Sequence, residues 1–281
     1  MSSGVGSANG TNDYIVSLHA GYASNQGYVN AYLARPVDAI SRPGVVLLSG
    51  MNGLSWTQRE ITRIYARNGF VALSPDFMEG LLPADRVEAL YAKNSLDVSR
   101  AVDQVAAGAD FLRSLPWVND DGPVGIMGFC LGGGLALLAL ARTDKFQAGV
   151  IYHQSLFPDS RELKSISTKL QCHYGTKDES TPRPEVDAFR RALEQYGVPH
   201  EILWYEGMGH SFAQITPDAD VSPARRAAAD LSYERSFEFL RKELASGRLA
   251  PKSAQDRYSS EEMSTTADEP TPPTAASATE S

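Results

Sequence analysis

Cysteine is scarce in this chain: two residues, Cys130 and Cys172, among 281. Two cysteines cannot build a disulfide framework, and such low usage fits a reducing compartment. Basic residues are also in deficit, with 26 Lys and Arg against 34 Asp and Glu and a formal net charge of −8. Nucleic-acid binding draws its affinity from clustered Lys and Arg. No such stripe occurs, so no nucleic-acid partner is expected. Long apolar runs are missing too. The longest, Leu135 to Ala141, falls far short of the roughly 20 residues that span a bilayer, so no membrane partner is expected. The opening residues Met1 to Asn12 are small and polar, without the basic and apolar regions of a secretory signal. A cytoplasmic location is the expectation.

What is present is enough apolar residue, 42%, to fill a large core, and α/β chains of about 200 to 250 residues routinely form one domain. The expected organisation is a flexible N-terminus over 1–12, one domain over 13–246 and a tail over 247–281. From Pro251 onward the chain is dominated by Ser, Thr, Ala, Pro and Glu. Such a segment has little to bury against its ordering entropy and is read as disordered.

Between these ends, strand and helix patterns alternate. Strands are predicted at Tyr14 to Ala20, Tyr28 to Arg35, Val45 to Ser49, Phe70 to Ser74, Val124 to Phe129, Ala148 to Tyr152, Leu170 to Tyr174 and Glu201 to Tyr205. The first two suit an antiparallel edge pair, whereas several later ones are continuous apolar runs of the kind buried on both faces of a parallel sheet. Helical periodicity covers Thr57 to Arg67, Leu96 to Leu115, Leu131 to Arg142, Arg183 to Tyr196 and Pro223 to Leu244. The alternation predicts βαβ crossovers and an α/β fold with a doubly wound, mostly parallel sheet.

The chemistry centres on Gly128-Phe129-Cys130-Leu131-Gly132. A buried strand ends at Phe129, a helix starts near Leu131, and glycines flank the cysteine two positions away on each side. This is the nucleophile-elbow pattern with sulfur in place of oxygen. Such a turn strains its central residue and brings backbone close, which glycine tolerates. Cys130 then sits at a helix N-terminus, where free N–H groups and the helix dipole favour thiolate over thiol. A small buried hydrophobe is the bland alternative, and the glycine spacing does not fit a dinucleotide-binding loop.

A nucleophile needs a base and an orienting acid, arranged along the chain as nucleophile, acid, histidine. Asp178 follows a strand in Gly175-Thr176-Lys177-Asp178, and His210 lies in a glycine-bounded loop after the next. A loop Asp is ordinarily a turn former, so it is the order that singles Asp178 out. His19, His173 and His200 fall within or beside strand patterns and are expected to pack or face solvent, whereas His153, at a strand end, is placed to contact substrate. The oxyanion hole is expected from the backbone N–H of Leu131 and of Met51, in the loop after the third strand. No ligand cluster with metal spacing occurs, so neither metal nor organic cofactor is implied.

These motifs, with Ala31-Tyr32-Leu33-Ala34-Arg35-Pro36 and Asn68-Gly69-Phe70-Val71-Ala72-Leu73-Ser74-Pro75-Asp76, resemble the dienelactone hydrolase family of α/β-hydrolases over roughly Tyr14 to Leu244. The resemblance implies an α/β-hydrolase fold and a cysteine hydrolase of enol lactones, with Cys130 as nucleophile, His210 as base and Asp178 as orienter. The partner is then a small-molecule ester or lactone; the oligomeric state stays open. Two positions depart from the family pattern. Gly50 stands where members usually carry a glutamate thought to hold or activate the thiol, and Gln214 where the best-studied branch carries an arginine for the substrate carboxylate. These departures make a broader carboxylesterase or thioesterase a credible alternative. A catalytically silent scaffold that only binds is the third reading.

Overall fold

The computed structural model describes residues 14–118 and 122–245; the predicted N-terminal segment and the tail lie outside them. Strands β1 (Ile15–Ser24), β2 (Gly27–Pro36), β3 (Gly44–Leu48), β4 (Val71–Pro75), β5 (Val124–Phe129), β6 (Ala148–Tyr152), β7 (Lys169–Gly175) and β8 (His200–Tyr205) form one sheet in the order β1-β2-β4-β3-β5-β6-β7-β8. The β1–β2 and β2–β4 pairings are antiparallel and the remaining ones parallel. All eight strands correspond to the predicted ones, β5 and β6 with the same ends and the other six with shifted ends.

Burial on both faces follows from the period-2 alternation of side chains along each strand. In β5, Val124 and Ile126 pack on one side while Met127 and Phe129 pack on the other. Helices α3 (Val98–Arg113), α4 (Leu131–Arg142) and α6 (Arg183–Gln195) cover the first face. Helices α1 (Trp56–Arg67) and α7 (Pro223–Ala245) cover the second through Ile61, Tyr65, Tyr233, Phe237 and Leu240. None of the described helices is long and apolar enough to cross a membrane.

Two helices escape sequence periodicity. In α2 (Arg86–Asn94), Ala89 and Ala92 are buried while Val87, Leu90 and Tyr91 face solvent, so no apolar stripe marks it. Its start is set by Asp85, whose carboxylate accepts from the N–H groups of Val87 and Glu88 at 2.8 and 2.9 Å. The single turn α5 (Ser160–Leu163) is too short for a period but carries a capping box between Asp159 and Glu162.

The site is placed by topology. After β3 the chain adds β4 on one side, and β5 then pairs on the other. The carboxyl ends of β3 and β5 therefore diverge at a switch point, where open α/β sheets bind ligands.

Candidate active site

Cys130 occupies the turn between β5 and α4, at φ 51° and ψ −114°. This strained backbone is held from three sides: the Cys130 N–H donates to the Tyr152 carbonyl at 3.0 Å, and its own carbonyl accepts from Gly133 and Ser155 at 3.1 and 3.0 Å. The flanking glycines are required sterically. A Cβ at Gly128 would collide with the Gly132 carbonyl, and one at Gly132 with the Ser49 carbonyl. Cys130 as a whole is 6% exposed.

Asp178 stands in the loop after β7, with its side chain fully enclosed. One oxygen, Oδ1, accepts from the N–H groups of Ser180 and Thr181 at 2.8 and 3.0 Å. The other, Oδ2, accepts from His210 Nδ1 at 2.8 Å. His210 comes from the loop after β8, so three strand ends converge on one point. That loop is fixed by Arg225 on α7, whose guanidinium donates to the carbonyls of Ser211 and Phe212 at 2.9 and 3.1 Å.

The electrostatics follow from this contact chain. Burial alone would raise the Cys130 thiol, but a hydrogen bond and charge attraction from His210, then Ser155 and the Leu131 N–H, bring it below its ordinary value. Burial disfavours the His210 imidazolium, yet hydrogen bonds to Asp178 and Cys130 push it up to about 9. Asp178 feels the same desolvation, and its bonds to His210 hold its carboxyl down. The arrangement favours thiolate and imidazolium together. Cys172, wholly buried in β7, is instead driven up to about 12 by desolvation.

His153 is drawn to the same place but not to the surface. It is fully buried at φ 33°, its ring centroid 4.4 Å from that of His210, with neither ring nitrogen hydrogen-bonded. Burial, and then the His210 charge, lower its pKa to about 3, so it packs as a neutral ring behind His210 instead of facing substrate. With Asp178 and His210 it brings ligand-capable atoms within 4.8 Å of one another. The Asp178 oxygens, however, already accept three N–H donors.

Of the other residues singled out in the sequence, His173 is buried between Tyr205 and Gln171 and His19 is exposed. Met51 lies in the half-buried loop after β3, and Leu131 opens α4. Gly50 and Gln214 come together beside the thiol: a Cβ at Gly50 would sit 3.4 Å from the Cys130 Cβ and 3.5 Å from Gln214 Nε2. Exposed Arg183 turns its guanidinium over Trp204 at 5.0 Å. Sequence reasoning overlooked Ser155 and Arg225, because each reaches the site from a distant segment without a local signature. Ser180 and Thr181 had one, the Asp-x-Ser-Thr run that commonly folds an Asx turn.

Known proteins are similar to this chain over most of its length. The family model described as "Dienelactone hydrolase family" matches residues 29–244. A probable 2-oxo-3-(5-oxofuran-2-ylidene)propanoate lactonase of Bradyrhizobium sp. is 29% identical over 233 residues, covering 78% of this chain and 91% of the relative. A carboxymethylenebutenolidase of Pseudomonas putida is 27% identical over 209 residues, covering 70% and 85%. The crystal structure of a dienelactone hydrolase from Anabaena variabilis superposes with a TM-score of 0.62 at 20% identity, over 82% of this chain and 99% of that one, a likeness of fold. The chain therefore belongs to the dienelactone hydrolase family and is a hydrolase of the α/β-hydrolase fold.

Proposed function

We propose that the protein cleaves an enol lactone or related carboxylic ester through Cys130, His210 and Asp178. The observation that carries this reading is that His210 interacts with the thiol of the strained Cys130 elbow and is held on its other side by Asp178, with the Nδ1 to Oδ2 bond at 2.8 Å. The thiolate attacks the carbonyl carbon, and the resulting oxyanion takes hydrogen bonds from the N–H groups of Leu131 and Met51. Collapse breaks the acyl–oxygen bond. The leaving oxygen takes the proton from His210, leaving a thioester on Cys130. His210, now neutral, removes a proton from water as it attacks the thioester, and the second collapse expels the Cys130 thiolate and releases the acid, leaving the proton on His210 and so restoring the starting ion pair.

The names of the relatives support an enol lactone as the substrate class. A broader carboxylesterase or thioesterase activity is favoured by Gly50 and Gln214, which leave the side of the thiol without a charged group. Comparing kcat/KM for enol lactones and simple aryl esters, in the native protein and in Cys130→Ala, tests the proposal. A thioester adduct trapped by rapid acid quench and mapped to Cys130 is expected. Undiminished turnover in Cys130→Ala would overturn the mechanism, and absence of turnover on every ester would leave the silent scaffold.

A further inference from the structure

Next to the thiol is a recess of about 120 Å³. Gly50 and Gln214 line it on the side nearest Cys130. Its other walls include Ser49, Asn52, Ser55 and Ser211, with Gln58 also lining it. All are neutral, and among the described residues no charged side chain lines it.

Gln58 supplies an independent observation. Its side chain is 2% exposed, and Nε2 donates to Ser74 Oγ at 3.0 Å and to the Leu47 carbonyl at 3.4 Å. The amide oxygen Oε1, equally buried, has no hydrogen-bond partner. A buried acceptor left unpaired is unfavourable, and a small shift of the Gln58 amide toward the recess would let a donor on a ligand there relieve it. The Gln214 amide offers both donor and acceptor across the recess. A carboxylate would bring no proton for Gln58 and would find no cation among these walls.

From this we infer that the recess is the substrate-selecting pocket of the hydrolase, and that it receives a neutral donor group, a hydroxyl or amide N–H close to the reacting carbonyl. The inference rests on the reading of Cys130 as the nucleophile. Its volume of about 120 Å³ accommodates a small polar substituent.

Three para-nitrophenyl esters test it: the glycolate, the propionate, in which methyl replaces hydroxyl at nearly equal size, and the malonate half-ester. Each kcat/KM is divided by that ester's rate with hydroxide. The glycolate is expected to exceed the propionate by about three- to tenfold, the worth of one neutral hydrogen bond, with the malonate below both. Gln214→Leu and Gln58→Leu should each bring the glycolate-to-propionate ratio toward one, and Gln214→Arg should raise the malonate. Alkylation of Cys130 reads the recess without turnover: the iodoacetamide-to-iodoacetate rate ratio should fall about three- to tenfold in Gln214→Leu. Equal rates for glycolate and propionate, a native preference for malonate, or an alkylation ratio unmoved by Gln214→Leu would overturn the inference. Failure of the nucleophile reading shows elsewhere, as propionate hydrolysis that survives Cys130→Ala.

Discussion

At Cys130 two effects act on one sulfur in opposite directions, and their balance can be measured. Burial favours the neutral thiol, while His210, Ser155 and the Leu131 N–H favour the anion and prevail. The rate of alkylation by iodoacetamide, followed against pH with the adduct mapped by mass spectrometry, should therefore inflect below the ordinary thiol value of about 8.5. His210→Ala should move that inflection upward, and Cys172 should stay unmodified in the folded protein. Turnover should show a second limb. Acylation in the proposed mechanism needs thiolate and imidazolium together, so kcat/KM is expected to rise as the thiol ionises. It should fall again near pH 9, where His210 loses its proton. A profile that keeps rising past pH 10 would show that the imidazolium does not donate to the leaving group. Removing the base in His210→Ala should lower kcat/KM by about 10²- to 10⁴-fold. Asp178→Asn, which keeps an acceptor for the Ser180 and Thr181 N–H groups, should retain more. The residues at this scale were legible in the sequence where the signal was local: the glycines around Cys130 and the order of Cys130, Asp178 and His210. Gln58 was not, because its orphaned oxygen is a property of packing between α1, β3 and β4.

At the scale of elements, hydrophobic pattern carried the information and its absence hid the rest. The β3, β5 and β6 strands are buried on both faces and read as apolar runs, so their positions came through. Helix α2, with its apolar side chains outward, did not. The close approach of β5 and α4 is likewise invisible as periodicity but is recorded in the glycines. Gly128→Ala would drive a Cβ into the Gly132 carbonyl, where rigid backbone cannot yield cheaply. A loss of about 2 to 4 kcal/mol in urea unfolding, at constant m-value, is expected. Arg225 acts differently, because it fixes a loop and not a core. Arg225→Met removes two charge-assisted bonds to the Ser211 and Phe212 carbonyls, worth roughly 1.5 to 3 kcal/mol each before water replaces them. If its task is to position His210, kcat should fall by more than KM rises, and the alkaline limb near pH 9 should shift. A variant that loses stability while keeping kcat and the pH profile would reduce Arg225 to a purely structural residue.

For the whole molecule, charge and composition divide the chain unevenly. After Ala250 the sequence carries Lys252 and Arg257 against Asp256, Glu261, Glu262, Asp268, Glu269 and Glu280, so it holds −4 of the total −8 in 31 residues. The family match ends at residue 244, and α7 buries Leu240 and Leu244 against the sheet just before the described residues stop at 245. The side chains that converge on the site come from positions between residues 49 and 225, all of them upstream of that helix end. Composition after Ala250 offers little apolar surface to bury, and stability scales with burial. Truncation after Ala250 is therefore expected to leave the melting temperature within about 1 °C and kcat/KM within error, while making the net charge less negative by four. In a domain of this size about 1 kcal/mol of lost stabilisation shifts Tm by roughly 2 to 4 °C. A drop beyond that range in the truncated chain would mean that the acidic segment docks on the domain, and a salt-sensitive drop would mean that it does so through its charge.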